Sequence, residues 1–240
     1  MTYGIGKDNA EMFFYSNRHL LGGTPSGVVL DFHGLNGGTD LLREDPDYAR
    51  RLAADGVLYL FPYNGPWSWM NDTAVKTVDG ILDAVIEKYE YDPAIPVVST
   101  GGSMGGMAAL TYARYSRHHI TACAANCPVC DLPFHYTERP DLPRTFLCAF
   151  GHYDMPLKDA LETASPLHQA AHFPRVPYYI VHGGADTAVD KTKHSDRLVA
   201  ALRAAGHQVE YHEIPDMTHC SLSEEEWNAY VGFASAHARG

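Results

Sequence analysis

Six short apolar runs, separated by longer amphipathic stretches, constrain the fold of this chain more than any other feature. They lie at residues 28–32, 57–61, 96–99, 120–124, 178–181 and 209–214. Continuous apolar runs of this length suit strands that are buried on both faces of a sheet. Strands that alternate with helices predict an α/β fold with a mostly parallel central sheet, and the first 22 residues could add an antiparallel edge pair.

Helix signals fill the segments between these runs. Apolar residues at spacings of three and four over residues 75–89 indicate one helix, and a second is expected to end before Gly206. A third begins at Ser223, where Glu226 completes a capping box. Between about 127 and 177 the alternation stops, and proline and aromatic residues become frequent. We therefore predict one domain over residues 1–240 with a cap insertion at about 127–177.

A G-x-S-x-G motif directly follows the run at 96–99 and precedes a helical pattern. It is formed by Gly101, Ser103 and Gly105. In this strand–turn–helix setting the turn is so tight that the neighbours of the serine must lack side chains, and the hydroxyl projects from the sheet edge. Ser103 is therefore the predicted nucleophile, and the N–H of Met104 a predicted oxyanion-hole donor. The simpler alternative is a glycine-rich turn that carries a surface serine.

A second glycine-rich motif follows the first apolar run and begins with His33 and Gly34. An oxyanion hole needs a second donor from a loop beside the nucleophile, and a turn of this type supplies one. We assign the N–H of Leu35 to this role, with Asn36 as the alternative. His33 is expected to hold the turn rather than to act as a base.

A serine nucleophile also requires a base and a carboxylate that orients the base. Asp186 follows the run at 178–181 and lies where sites of parallel sheets gather, whereas its rival Asp190 fits a cap of the next helix. His219 lies on the loop after the last run, which allows it to reach over the serine. Ser103, Asp186 and His219 are thus the predicted catalytic triad, in the order serine, acid, histidine.

These residues resemble the α/β-hydrolase family, and more narrowly its prolyl-oligopeptidase-like and acetyl-xylan-esterase-like members. The resemblance rests on His33-Gly34, Gly37-Gly38, Asp92-Pro93, the run from Gly101 to Gly106, Ser165-Pro166, His182-Gly183, Asp186 and His219. It implies a serine hydrolase that works through an acyl-enzyme with no cofactor and no metal. We expect a carboxylesterase acting on small-molecule or carbohydrate-linked esters of acetyl or feruloyl type. The alternative is a serine peptidase acting on short peptides.

Aromatic side chains near these motifs are the predicted walls of the substrate site. Trp67 and Trp69 follow the second apolar run, and Phe134 and Tyr153 lie in the insertion. Aromatic walls suit an aryl acyl group or the face of a sugar. Both tryptophans could equally serve as ordinary packing.

Cys127 and Cys130 form a C-x-x-C pair outside the family pattern. Such a pair can be a redox site or half of a zinc site, to which Cys123 and a histidine could contribute. Buried thiols without a function are the simpler interpretation. The chain has five cysteines, and an odd number does not form a disulfide framework.

Charge and hydropathy exclude several classes of partner. The net charge is −11 and no run of lysine or arginine is present, so neither nucleic acid nor an anionic membrane is an expected partner. No apolar stretch is long enough to span a bilayer, and the first residues do not resemble a secretory signal. The pattern favours a cytoplasmic protein whose partner is a small-molecule ester. A hydrolase fold that only binds a ligand is a third possibility.

Overall fold

A single sheet organises the chain in this computed structural model, which describes residues 4–35, 37 and 44–240. Within these ranges the sheet has seven strands, in the spatial order β1-β3-β2-β4-β5-β6-β7. They are β1 (Phe14–Ser16), β2 (Val28–Phe32), β3 (Leu58–Pro62), β4 (Val97–Gly102), β5 (Ile120–Asn126), β6 (Tyr178–Gly183) and β7 (Val209–Ile214). β1 is antiparallel to β3, and the other pairs are parallel, as predicted.

Helices connect the strands and cover both faces of the sheet. They are α1 (Asp47–Ala54), α2 (Asp72–Tyr89), α3 (Met104–Tyr115), α4 (Leu132–Glu138), α5 (Leu142–Phe150), α6 (Leu157–Ala164), α7 (Pro166–Gln169), α8 (Ser195–Ala204) and α9 (Glu224–Ala238). Short 3-10 turns lie at Ala10–Met12, Arg18–Leu20 and Ala170–His172. No helix in the described ranges has the length and apolar character needed to cross a membrane.

The core has one layer on each side of the sheet. Val28 and Leu30 face α2, α3 and α8, whereas Val29 faces α1 and α9, because successive strand residues point to opposite faces. The insertion predicted at 127–177 forms α4 to α7 and the following 3-10 turn. A third apolar cluster joins its helices to the start of α3 through residues such as Phe146 and Met104.

The central strands extend further at their carboxyl ends than the apolar runs indicated. β4 continues to Gly102 and β6 to Gly183, because backbone pairing does not need apolar side chains. Hydrogen-bonded pairing between strands therefore continues up to the motifs that resemble catalytic loops. Only one edge strand, β1, forms among the described N-terminal residues, instead of the pair that was considered.

Helix ends match the sequence signals at one site and differ at another. The capping box of Ser223 and Glu226 begins α9 as predicted. The prediction that Asp190 caps the next helix is wrong, because α8 begins at Ser195, preceded by His194. The Asp190 carboxylate instead accepts the backbone N–H of Thr192 at 2.9 Å and closes a separate turn.

Candidate active site

Ser103 lies in the turn between β4 and α3 with a strained backbone. Its φ of 60° and ψ of −123° are rare for a residue with a side chain. The turn closes only because its neighbours are glycines: a Cβ on Gly101 would lie 2.4 Å from the carbonyl oxygen of Gly105. A Cβ on Gly105 would lie 1.9 Å from the carbonyl oxygen of Phe32. This is the geometry of a nucleophile elbow.

Backbone hydrogen bonds fix the elbow to the neighbouring strand. The Ser103 N–H donates to the Asn126 carbonyl at 2.8 Å, and the Val129 N–H donates to the Ser103 carbonyl at 3.3 Å. Met104 is the first residue of α3, where a backbone N–H has no acceptor in a preceding turn. Among the residues that the structure describes, no acceptor is recorded for this N–H, which lies at the positive end of a helix, beside the serine.

The second glycine-rich loop lies against the elbow. The position of a Cβ on Gly34 is 3.8 Å from the Cβ of Ser103, and Leu35 lines the same cavity as the serine. His33 is buried and its Nδ1 lies 2.8 Å from the Gly34 carbonyl oxygen, which fits a residue that holds the turn. Burial lowers the His33 pKa. Asn36 lies outside the described residues, and the donor role of Leu35 stays a prediction.

Asp186 lies in the loop after β6, with a fully buried carboxylate. Its Oδ1 accepts the N–H groups of Ala188 and Val189 at 2.8 and 3.0 Å. Burial alone would raise the Asp186 pKa. Hydrogen bonds from His182, from His219 and from these two N–H groups outweigh burial and hold the pKa well below its usual range. The carboxylate is therefore ionised at neutral pH.

His219 is oriented by this carboxylate. Its Nδ1 lies 2.7 Å from Asp186 Oδ2, which leaves Nε2 as the ring nitrogen available for chemistry. Burial tends to lower the His219 pKa, but the hydrogen bonds to Asp186 and Cys127 raise it to about 9. The protonated imidazole is therefore favoured near neutral pH, and His219 has to lose its Nε2 proton before it can act as a base.

Close backbone contacts bring the two loops together. A Cβ on Gly183 would lie 2.0 Å from the Met217 carbonyl oxygen, so only glycine permits this approach. The Gly184 N–H donates to the Ile214 carbonyl at 2.8 Å, and the Ala185 N–H donates to Met217 at 3.1 Å. The loop that carries Asp186 is therefore fastened to the loop that carries His219.

A second histidine, His182, also contacts Asp186, and sequence reasoning missed it. His182 is fully buried in β6, and its Nε2 lies 3.2 Å from Asp186 Oδ2. Its Nδ1 lies 2.6 Å from Ser195 Oγ, so both ring nitrogens are engaged. The available signal was the presence of His182-Gly183 among the residues that carry the family resemblance. His182 fixes the carboxylate that in turn orients His219.

Two thiols occupy the space beside His219 Nε2. Cys220 Sγ lies 3.8 Å from Nε2, and the Cys220 N–H donates to Cys127 Sγ at 3.4 Å.

The serine hydroxyl is not bonded to the histidine in this structure. In the part of the chain that the structure describes, Ser103 Oγ has no hydrogen-bond partner.

The thiol partner of Cys127 differs from the sequence-based expectation. Cys127 meets Cys220, whereas the Cys130 thiol donates to the Pro128 carbonyl at 3.3 Å. Among the described residues, Cys123 and Cys130 belong to no cluster of three metal-ligating side chains. The interpretation of Cys127 and Cys130 as half of a zinc site with Cys123 is therefore not supported.

One cavity joins the elbow to the histidine loop. It has a volume of about 640 Å³ and contains both Ser103 and His219 in its walls. Leu35, Phe61, Arg139, Cys220 and Trp227 are among its other lining residues. Its size is that of a site for a small molecule.

The four predicted aromatic walls are not brought to this cavity. Trp69 is 1% exposed, stacks on Phe146 with ring centroids 4.4 Å apart and donates to Thr145 Oγ1 at 3.0 Å. It packs inside the third apolar cluster because the indole fills that core and its N–H finds an acceptor there.

The other three aromatic residues lie at separate places. Trp67 lines a different cavity of about 360 Å³. Tyr153 donates its hydroxyl to Asp72 Oδ1 at 3.1 Å and lines another cavity, of about 380 Å³. Phe134 packs edge-on against the ring of His194, 5.8 Å between centroids.

Asp186→Asn is expected to lower kcat on the order of 10⁴-fold, because an amide cannot hold the required tautomer of His219 or stabilise its protonated form. Asp190→Asn is the matched control, since within the described ranges the Asp190 carboxylate accepts hydrogen bonds from Thr192 alone. The Asp190 backbone N–H, which the substitution keeps, donates to Glu138 Oε1 at 3.2 Å. Steady-state kinetics of both variants on one substrate tests this. Equal losses in the two variants would contradict the assignment of Asp186.

One known protein family matches a range of the chain that contains these loops. The sequence model of the prolyl oligopeptidase family matches residues 70–235, a range that contains Ser103, Asp186 and His219. No curated protein sequence matches the chain.

Solved structures share the fold over most of this chain. Esterase B from Lactobacillus rhamnosis is 14% identical with a TM-score of 0.71, and the match covers 91% of this chain and 78% of that one. A puromycin-hydrolyzing peptidase from Mycobacterium tuberculosis is 18% identical with a TM-score of 0.67, over 90% of this chain and 32% of that one. This chain thus spans about a third of the length of the second protein. The similarity establishes the α/β-hydrolase fold.

Proposed function

The chain belongs to the prolyl oligopeptidase family of serine hydrolases, and from this premise we propose that it is a carboxylesterase. The substrates would be small-molecule or carbohydrate-linked esters of acetyl or feruloyl type. One observation carries the proposal: His219, held on Asp186 at 2.7 Å, lines the same cavity as Ser103 on its strained elbow. A nucleophile, a base and an oriented carboxylate then serve one small-molecule site.

Acyl transfer follows from these roles. His219 Nε2 takes the Ser103 proton while Oγ attacks the ester carbonyl, and the N–H groups of Met104 and Leu35 receive the oxyanion. The intermediate collapses and expels the alcohol, which takes the proton from His219. Water then attacks the acyl-enzyme with His219 as base, and the acid leaves. Asp186 keeps the proton on Nδ1 and stabilises the imidazolium.

The hydrogen bond between Ser103 and His219 forms, in this proposal, when substrate enters. Catalytic hydrogen bonds are often long in a free enzyme and shorten in the complex with substrate. Cys220 lies beside Nε2 at 3.8 Å, so the ring has to turn from the thiols toward the serine. An ester tolerates this arrangement better than an amide, because an alcohol leaves more readily than an amine and depends less on precise proton delivery.

The aromatic lining of the cavity also favours an esterase. The cavity walls include Phe61 and Trp227, whose rings suit an aryl acyl group or a sugar face.

A peptidase acting on short peptides is the second candidate, and one residue favours it. Arg139 lines the cavity and presents a guanidinium there, although Asp141 holds it at 2.7 Å. A guanidinium binds carboxylates well, including the free carboxyl end of a peptide.

Paired substrates without activated leaving groups separate the two functions. We expect the wild-type protein to hydrolyse methyl ferulate or an acetylated xylo-oligosaccharide, and to leave short peptides intact. Cleavage of peptides with a kcat/KM equal to or above that for every ester would overturn the esterase proposal. If Arg139→Ala then raised KM for peptides with a free carboxyl end but not for amidated ones, the peptidase function would be supported.

A further inference from the structure

Cys127 and Cys220 are two nucleophilic side chains at the active site that acyl transfer does not use. Together with His219 they form a cluster whose ligand atoms all lie within 4.8 Å of one another. Cys127 is fully buried behind the cavity wall, whereas Cys220 and His219 are part of that wall. The cluster therefore joins the protein interior to the place where the substrate would lie.

The spacing of these atoms is close to that of a tetrahedral zinc site. Zn–S bonds of about 2.3 Å and Zn–N bonds of about 2.05 Å place neighbouring ligand atoms roughly 3.6–3.8 Å apart. The distance from Cys220 Sγ to His219 Nε2 is 3.8 Å. The other two pairs of ligand atoms lie within 4.8 Å, so rotation of the side chains would have to bring Cys127 Sγ closer to complete the site.

The surroundings of the cluster also match a metal site. A histidine that binds a metal through one ring nitrogen almost always donates the other N–H to a carboxylate or carbonyl. His219 is arranged in this way, since its Nδ1 is bonded to Asp186 at 2.7 Å and its Nε2 faces the thiols. The Cys220 N–H points at Cys127 Sγ, where it would stabilise a thiolate.

Backbone strain holds both cysteines in place. Cys127 has a φ of 44° and Cys220 a φ of 55°, in the left-handed region that residues with side chains rarely occupy. Strain of this kind persists where the surrounding structure imposes it and is concentrated at functional sites. Cys127 also forms a cluster with His182 and Asp186, but both nitrogens of His182 are already engaged.

We propose that Cys127, Cys220 and His219 bind Zn²⁺ and that the bound ion switches the hydrolase off. Zn²⁺ displaces the two thiol protons, and the Nε2 proton of a protonated His219, to solvent, and it accepts the lone pair of His219 Nε2. The fourth position of the tetrahedron is left for water on the cavity side.

Inhibition follows because one nitrogen cannot serve both roles. When zinc is bound to His219 Nε2, that nitrogen has no lone pair with which to take the Ser103 proton. Inhibition, though not metal binding, rests on the proposed function, since it requires His219 to be the base.

Metal titration of the full-length protein tests the proposal in two ways. Hydrolysis of an ester is measured against free Zn²⁺, and absorption is measured against Co²⁺, which gives thiolate-to-cobalt charge-transfer bands when cysteine binds it. Cys127→Ser and Cys220→Ser are compared with Cys148→Ser, which removes an exposed free cysteine elsewhere. Each variant is compared with its own rate in a chelator.

We expect a charge-transfer band with one cobalt per chain, and zinc inhibition that a chelator reverses. Loss of either ligating thiol should raise the free Zn²⁺ concentration that gives half-maximal inhibition at least about 10-fold. Cys148→Ser should leave that concentration unchanged. Absence of the band, or a band that persists unchanged in both variants, would overturn the site. A band without inhibition of an active enzyme would overturn the switch and the role of His219, while leaving the metal site intact.

Discussion

Ser103→Ala is expected to lower kcat for ester hydrolysis on the order of 10⁶-fold, because no other side chain then supplies the attacking oxygen. Residual turnover from the oxyanion hole should remain above the uncatalysed rate. The free energy of unfolding should change by no more than about 0.5 kcal/mol, since among the described residues Ser103 Oγ has no hydrogen-bond partner to lose. Steady-state kinetics and urea unfolding measure the two quantities.

Ser26→Ala serves as the control, because Ser26 is an exposed serine whose hydroxyl, as far as the described residues show, donates to the Gly56 carbonyl at 3.3 Å and to no other group. Its rate should equal that of the wild type. A fluorophosphonate reagent should attach to Ser103 in the wild type, as located by peptide mass spectrometry. Undiminished turnover in Ser103→Ala would place the nucleophile elsewhere and refute the acyl-enzyme on Ser103.

Gly105→Ala is expected to destabilise the fold by at least about 3 kcal/mol and to abolish activity. The added Cβ would lie 1.9 Å from the carbonyl oxygen of Phe32, so either β2 or the start of α3 must move. Both elements carry the elbow and the loop beside it, and neither can shift without displacing Ser103. Urea unfolding and ester turnover give the two readouts.

Gly232→Ala is the matched control in helix α9, where nothing lies within 4 Å of the added Cβ. That substitution should stabilise the protein by up to about 1 kcal/mol, because alanine has the higher helix propensity. If Gly105→Ala were as stable and as active as Gly232→Ala, close packing at the elbow would not be what requires a glycine there.

Local sequence was enough for the features that a few neighbouring residues specify. The strand at Val28–Phe32 and the capping box at Ser223 were predicted with the bounds that the structure shows. The turn around Ser103 was predicted because G-x-S-x-G after a strand leaves few backbone geometries. The choice of Asp186 over Asp190 rested on the end of an apolar run and on a helix cap at Asp190, and the second of these reasons is wrong because α8 begins at Ser195.

Local sequence patterns were sufficient to predict the α/β alternation, the strained turn at Ser103 and the loops that carry Asp186 and His219. Which side chains meet across the chain follows from the packing of strands and helices. Cys127 and Cys220 are 93 residues apart, and they touch because parallel strands bring the loops after β5 and β7 to one edge of the sheet. Trp69 lies in the third apolar cluster and not in the predicted substrate wall, because burial of a large ring in a core is energetically favourable wherever the fold provides space. Such contacts depend on strand order and packing, which no short stretch of sequence encodes.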